Sequence, residues 1–569
     1  MEHTTYNYFI KGDVSGIQDF IFNVKSEKAA RVLKARSVFV EVLTKFSKQF
    51  VLQHLNLSET PYSFDGGGSF YVFAEGNLSI EETHEKLKTL ESFFNEQFHR
   101  ENIYVTFSII EEVDDFSVAK KELEYQSQLD KLKKYNFQGS ALAPFKREAG
   151  KKRENCFGDK WKEDEVVTFE VWLEKKVVTK KGEYMIAEIV RYLTCKMGER
   201  VITWQNESIP RVDLPTWTSA LWHSYEEEIQ REEEKRSRAG RDDARIGRET
   251  IIDYQFLAHF AKERTGTNKI GILKMDVDNL GYLFTRIPSK QLAFEVSELL
   301  SNFFSNGIQD LLREKIVFNY PVQENRTDPS TYQNNIYTVF SGGDDCIFVG
   351  AWDAILELAP KIKMAFETTA QRIKDKLDKA GVHEDKDLKL PPTLSAGVEI
   401  VEPTYPVVQF ASLSEEALKK GKSFRFHTEK EAKQRPSKNK ITVFEQSLTW
   451  EEWKKAHHIA YNVLKINIES QPPKISRAIL ERIRQSERLF KSQYEEALEG
   501  NTSIPGVSKL FYFARNVGSK EVVKELHNQL ITPYAQDLIT AFTDSEATTN
   551  PMKYPVAARW AELLTRKNK

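Results

Sequence analysis

Short apolar runs broken by glycine- and aspartate-rich turns give way, late in the chain, to long stretches with helical apolar spacing. Ile336–Phe340 and Cys346–Val349 are two brief apolar segments joined by Ser341-Gly342-Gly343-Asp344-Asp345. That pattern predicts a β-hairpin with two adjacent carboxylates at its tip, where glycine permits a tight turn and close approach of a ligand. Upstream, Ile270–Met275 predicts a buried strand ending in Asp276-Val277-Asp278. Thr393–Ile400 and Ile441–Phe444 predict two more strands, the second closing a domain, and Ser414–Ser423 reads as a capped helix ending in cations. From Trp450 onward the segments Trp450–Ile468, Ile475–Leu498, Val507–Asn516, Lys520–Phe542 and Tyr554–Arg566 read as helices, with Ile479, Ile483 and Leu489 marking a packed face. The chain is therefore expected to be α+β, with a helical interaction bundle at its C-terminal side.

The N-terminal region repeats the plan of the middle. Tyr6–Lys11 is a strand running into Gly12-Asp13-Val14-Ser15-Gly16, which aligns with Met275-Asp276-Val277-Asp278-Asn279. A helix is expected from Ile17, and Phe64-Asp65-Gly66-Gly67-Gly68-Ser69-Phe70 then mirrors the later hairpin. Gly66 and Gly67 match Gly342 and Gly343, while Gly68 and Ser69 fall where Asp344 and Asp345 stand. The first copy keeps Asp13 but not the acidic pair, so it is expected to bind a nucleotide without holding two metals. Two copies, one equipped and one stripped, predict a face-to-face pair with one catalytic half.

Asp276 near Asp344 and Asp345 has the chemistry of a two-metal phosphoryl-transfer site, because hard divalent ions take oxygen ligands and clamp the attacking and leaving oxygens. An ordinary surface turn is the plain alternative for the hairpin taken alone. A lysine at the end of the Ser414–Ser423 helix would reach a triphosphate as a point charge, but lysines favour helix C-termini for the dipole alone, which is the plainer reading from the residues.

Composition narrows the class. At 569 residues several domains are expected, and the net charge of −2 leaves nucleic-acid binding to local patches. Three cysteines are too few and too scattered for a disulfide framework or a four-cysteine zinc site, so Cys156 and Cys195 read as packing residues and no zinc is expected. No apolar run approaches the ~20 residues of a membrane span, and Met1–Thr4 lacks the features of a signal peptide, so a cytoplasmic protein without a membrane partner is expected.

Gly12-Asp13-Val14-Ser15-Gly16-Ile17-Gln18-Asp19-Phe20-Ile21, followed by Ala35-Arg36-Ser37, resembles the opening of the CRISPR polymerase/cyclase large subunit of type III effector complexes. Ser341–Asp345 is similar to that family's Gly-Gly-Asp-Asp hairpin, Asp276 falls on its strand-end metal ligand, and Lys422 matches the phosphate lysine of the related GGDEF cyclases. The resemblance implies two ferredoxin-like palm domains. Its expected boundaries are 1–110 for a degenerate first palm, 111–250 for a helical, charged linking domain, 251–447 for a catalytic second palm and 448–569 for a C-terminal helical domain. It further implies partners: the backbone and small subunits of the complex, a guide RNA and a target RNA. Many relatives carry a His-Asp nuclease pair, but none of the eleven histidines here is followed by aspartate, so no such nuclease activity is expected.

In the linking domain a hairpin is possible around Val166–Val190, and the basic runs Lys131–Lys134 and Lys146–Arg153, interleaved with Tyr135, Phe137 and Phe145, fit either RNA contact or a solvated loop. Arg231–Arg248 mixes Glu with Arg and Lys and reads as a self-neutralising face.

The expected reaction is metal-dependent nucleotidyl transfer from ATP. Asp276, Asp344 and Asp345 would hold two Mg²⁺ or Mn²⁺ ions, helped by Asp278 and the Val277 carbonyl. Ser341, Gly342, Gly343 and Lys422 would bind the donor, and Asp13, Asp65 and Gly66, Gly67 and Gly68 the acceptor. An ATP acceptor gives cyclic oligoadenylate; joining AMP to S-adenosylmethionine, a GTP-using cyclase and a non-enzymatic scaffold are the alternatives.

Overall fold

The computed structural model describes residues 5–23, 29–98, 102–133, the strands between 170 and 205, 215–240, 246, 251–316, 318, 331–385, 387–424, 438–498, 512, 520–543 and 549–566.

A near-continuous apolar run makes β1 (Tyr6–Ser15) the middle of the first sheet, buried on both faces: Phe9 stacks on Phe73 with ring centroids 4.3 Å apart, while Tyr8 and Ile10 enter a second core. After α1 (Ile17–Phe22) and α2 (Ala29–His54) come the short β2 (Ser58–Glu59) and the hairpin of β3 (Phe64–Gly66) and β4 (Ser69–Gly76). α3 (Ile80–Phe98), β5 (Tyr104–Glu111) and α4 (Phe116–Leu132) complete this half. β4 and β5 flank β1, both antiparallel. This is the β-α-β-β-α-β order of a ferredoxin-like palm.

The linking region departs from the helical expectation. Five short strands, β6 (Glu170–Val171), β7 (Glu174–Val177), β8 (Met185–Glu188), β9 (Tyr192–Met197) and β10 (Arg200–Gln205), form two small antiparallel groups there. Their high Lys and Glu content hides the short alternation that strands require. Helices follow at α5 (Ser219–Ser224) and α6 (Glu226–Arg238), the latter carrying the ion pairs Arg231–Glu227, Arg236–Glu232 and Arg238–Glu234, each at 3.2 Å. Cys195 lies on β9, whereas Cys156, Tyr135, Phe137, Phe145 and the run 146–153 lie outside the described residues.

The second half opens with α7 (Tyr254–Thr265) and β11 (Ile270–Val277), then α8 (Leu280–Phe284) and α9 (Lys290–Asn302). A π-helical turn, Phe303–Gly307, continues α9 into α10 (Ile308–Leu312), and α11 (Tyr332–Asn335) precedes the hairpin of β12 (Ile336–Gly342) and β13 (Asp345–Ala351). α12 (Trp352–Lys379), β14 (Leu394–Val401) and α13 (Phe410–Ser423) follow. The sheet order is β12-β13-β11-β14-β15-β16. Strand β15 (Lys440–Val443) ends one residue before the expected Phe444, and Phe444 and Glu445 turn with φ of 50° and 64° into a further strand, β16 (Gln446–Thr449).

The halves pack reciprocally: α2 lies on β12, and α9 lies on β3. One core runs from Phe9, Phe73 and Phe116 of the first half through β11 and α12 into the C-terminal helices. Those helices include Ala478–Leu498 and Lys553–Leu564, and Trp453 stacks on Trp560 at 4.6 Å. The Thr267 hydroxyl, just before β11, donates to the Leu563 carbonyl (2.6 Å). Most of 507–516 lies outside the described residues. No described helix is long and apolar enough to cross a membrane.

Candidate active site

Register places the acidic residues. In the antiparallel pairing of β11 with β13, Asp276 stands opposite Asp345, and in β12 with β13, Gly342 stands opposite Asp345. Only Gly343 and Asp344 are left to make the turn, and Gly343 takes a left-handed φ of 67° that suits glycine. The Asp344 carbonyl accepts from the Val277 amide (3.1 Å), fixing the tip to the end of β11. Asp345 is thus a strand residue rather than a tip residue, and both carboxylates are half-buried rather than exposed. Burial first, then the Asp344 charge, pushes the Asp345 carboxyl up to about 7; burial raises Asp344 as well.

Lys422, in the last turn of α13, forms an ion pair with Asp276 and lies 3.7 Å from Asp278. Burial, reinforced by the Lys438 and Lys274 charges, draws its ammonium down to about 7. Lys274, two residues before Asp276, pairs with Glu415 of α13 at 2.5 Å.

Two expected nucleotide contacts are engaged inside the protein. Asp278 accepts from the Thr393 hydroxyl (2.7 Å), the Ser395 hydroxyl (2.8 Å) and the Asn439 amide (2.9 Å), so it ties the start of β14 and the segment before β15 to the end of β11. Burial raises its carboxyl in spite of these donors. The Ser341 hydroxyl donates to the Phe304 carbonyl (2.5 Å), anchoring the hairpin to the π-helical turn.

The first half repeats the geometry without the acids. Asp13 pairs with Ser69 where Asp276 pairs with Asp345, and the Val14 amide donates to the Gly68 carbonyl (2.8 Å) as Val277 does to Asp344. Gly67 and Gly68 turn with φ of 62° and 86°; Asp65 sits on β3 opposite Phe70. The two glycine tips meet: a Cβ on Gly66 would lie 3.0 Å from the Gly343 Cα, and one on Gly67 would lie 3.7 Å from Asp344 Oδ1. Asp276, Asp344, Asp345, Lys422, Gly343, Gly66 and Gly67 thus converge between the halves.

Tyr71 escaped the sequence reading, since an aromatic residue in a strand reads as core. Its hydroxyl donates to Glu124 (2.6 Å), and its acidity is suppressed by burial, then by Glu124, Asp13 and Asp344. The acids of both halves therefore act on one phenol. Phe64 stacks on Tyr71 at 4.9 Å and on Phe284 at 5.8 Å, bridging the halves.

The donor set fits Mg²⁺ or Mn²⁺. Asp276, Asp344 and Asp345 offer hard oxygens, the last two repel one another, and Asp276 sits against the Lys422 amine. Among the described residues, the three acids do not bring their oxygens all within 4.8 Å of one another, whereas Glu228, His259 and Glu263 bring ligand-type atoms that close.

Residues 269–442 match the family described as Cas10/Cmr2, second palm domain, and residues 6–148 match Csm1 subunit domain B. The chain belongs to the Cas10/Csm1 family. A Cas10/Csm1 protein of Methanocaldococcus jannaschii, described as a CRISPR system single-strand-specific deoxyribonuclease of subtype III-A, is 28% identical over 86% of this chain and 64% of its own length. A Cas10/Csm1 protein of Mycobacterium tuberculosis is 24% identical over 77% of this chain and 54% of its own. The chain thus spans under two thirds of the length of these relatives. The apo Csm1–Csm4 cassette shares the fold with a TM-score of 0.60 at 18% identity, covering 99% of this chain and 70% of that one. Csm1 of T. onnurineus does so with a TM-score of 0.58 at 17% identity, covering 100% and 71%.

Proposed function

We propose that this Cas10/Csm1 chain is the ATP-dependent nucleotidyltransferase of a cytoplasmic type III CRISPR complex, making cyclic oligoadenylate when target RNA binds. One observation carries the reading: Asp276 stands opposite Asp345, with Asp344 at a turn pressed against the glycine hairpin of the other half. Structures of the same fold are described as Csm1–Csm4 cassettes in complex with cA4 and with one ATP, which supports adenine-nucleotide binding by this fold.

In the proposed reaction the 3′-hydroxyl of an acceptor ATP attacks the donor's α-phosphate, and pyrophosphate leaves. Divalent ions held by Asp276, Asp344 and Asp345 would lower the hydroxyl's pKa and offset charge on the phosphates. Lys422 releases Asp276 to bind the donor triphosphate. Val277 and Asp344, joined through the backbone, keep the carboxylates in register, and Gly66, Gly67 and Gly343 let a nucleotide lie close to the main chain. Positioning and electrostatics supply most of the rate, as in other phosphoryl transfers. Asp278 and Ser341 serve by holding β11 and the hairpin in place.

The decisive experiment assembles the chain with its partner subunits, guide RNA and target RNA, adds ATP with Mg²⁺ or Mn²⁺, and identifies products by mass spectrometry. Cyclic oligoadenylate lost in Asp344→Asn/Asp345→Asn, with RNA binding kept, is the expected result. An adenylated S-adenosylmethionine product would move the acceptor assignment; no product from wild type would leave a scaffold. The same preparation is expected not to cleave single-stranded DNA through this chain, which has no His-Asp pair among its residues.

A further inference from the structure

Lys422 has a counterpart in the first half. On β11, Lys274 and Asp276 stand two residues apart, and on α13, Glu415 and Lys422 stand seven apart; the ion pairs are Lys274–Glu415 and Lys422–Asp276. On β1, Lys11 and Asp13 also stand two apart, and on α4, Glu124 and Lys131 also stand seven apart. Their pairs repeat the pattern: Lys11–Glu124 at 2.7 Å and Lys131–Asp13 at 2.7 Å. Two residues on a strand share a face, and seven on a helix span two turns of one face, so a duplicated strand and helix preserved all four positions in three dimensions. Both strands lie between the hairpin and the following strand of their sheet, and both helices come directly after that following strand or one short turn later.

The inner and outer pairs of the first half differ in character. Glu124 also accepts from Lys120 and from the Tyr71 hydroxyl, and the side chains of Lys11 and Lys120 are 7% and 6% exposed. That buried cluster fastens α4 to β1 by itself. Against burial, the Lys120 and Lys11 charges hold Glu124 down to about 2, so it is an anion throughout the working range. The Lys131 side chain, at the end of α4, is 38% exposed and pairs with an Asp13 that has no acidic neighbours corresponding to Asp344 and Asp345. An outer lysine adds little to a helix already fastened from within, since an accessible ion pair stabilises a fold only weakly.

We propose that Lys131 is the phosphate-binding lysine of the acceptor nucleotide. It exchanges the Asp13 carboxylate for the acceptor's 5′-triphosphate, as Lys422 exchanges Asp276 for the donor's. A polyanion competes well with one carboxylate for a lysine, and Asp13 holds the side chain in place until it arrives. The inference rests on the two-nucleotide reading of the site and gives the stripped palm a specific chemistry: it binds phosphate through a cation alone, where the equipped palm uses carboxylates and metal.

The test is calorimetry of the assembled complex with a non-hydrolysable ATP analogue and Mg²⁺, alongside KM and kcat for ATP. Wild type is expected to bind two analogues. Lys131→Ala should keep one site at wild-type affinity and weaken the other about tenfold or more, raising KM with little change in kcat, and Lys131→Arg should recover most of that loss. Lys422→Ala should weaken the other site instead. If Lys131→Ala binds both analogues normally, loses both together, or melts well below wild type, the proposal is overturned. Wild type binding only one analogue also overturns it. Two analogues bound without any oligoadenylate made would instead overturn the reaction, while the Lys131 comparison still decides the phosphate contact.

Discussion

Gly343 and Gly67 meet backbone to backbone: a Cβ on Gly343 would lie 2.6 Å from the Gly67 nitrogen and 3.0 Å from its Cα. Backbone cannot swing aside as a side chain does, and Gly343 already has a positive φ. Gly343→Ala is therefore expected to push the two hairpins apart and lower oligoadenylate synthesis on the order of 100-fold, the cost of a displacement near 1 Å in a positioned site. Initial rates measure this. Gly281→Ala, with open space around its position, is the control expected to stay within a few-fold of wild type.

Asp344→Asn/Asp345→Asn should have a second effect besides losing product. The native Asp345 carboxyl keeps its proton to about 7, whereas an unfolded aspartate loses it near 4. Between those values the native state binds more protons, so stability falls as pH rises. Without divalent ions the double variant should melt above wild type at pH 8 and close to it at pH 4. Added Mg²⁺ should raise the wild-type midpoint only, because ligand binding to the native state stabilises it. Differential scanning calorimetry at both pH values reads each part.

Asp278→Ala should destabilise the second half. It strands the Thr393 and Ser395 hydroxyls and leaves the Asn439 amide only its 3.1 Å bond to Ser395, where all three had shared one buried carboxylate. Hydrogen bonds to a charged group are worth about 1.5–3 kcal/mol, and a loss of that order is expected in denaturant unfolding. Unchanged stability would instead make Asp278 free for ligand.

Arg264 and Asp353 form a bidentate pair at 2.7 and 2.9 Å, with side chains 2% and 0% exposed. Asp353→Ala leaves a buried guanidinium without this partner and is expected to cost about 3–5 kcal/mol. Replacing both residues with apolar ones of similar volume should cost much less. Urea unfolding of the single and double variants distinguishes these outcomes.

The strands around Asp276 and the Gly342-Gly343 turn were legible because short apolar runs and paired glycines are local signals. Register then put Ser69 at the place of Asp345, as the aligned hairpins suggested. The hairpin's depth was not legible: Gly-Asp sequences resemble surface turns, and the partner that half-buries Asp344 and Asp345 lies almost 300 residues away in the first half. Lys131 was read with a basic loop because its Asp13 partner is tertiary. The hairpin of β7 and β8 falls inside the expected 166–190 stretch, whereas β9 and β10 were missed because charge-rich alternation looks like a solvated helix.

Thr267, at the entrance to β11, is held by the Leu563 carbonyl, and its own carbonyl accepts from the Trp352 indole (3.2 Å). The ribosome makes Leu563 almost 300 residues after Thr267. A nascent chain thus carries β11 and Asp276 long before that strand's last support emerges. The second palm is then completed late in synthesis, after the first palm can have folded as a unit. Such an order leaves the start of β11 without its C-terminal anchor in every unfinished copy.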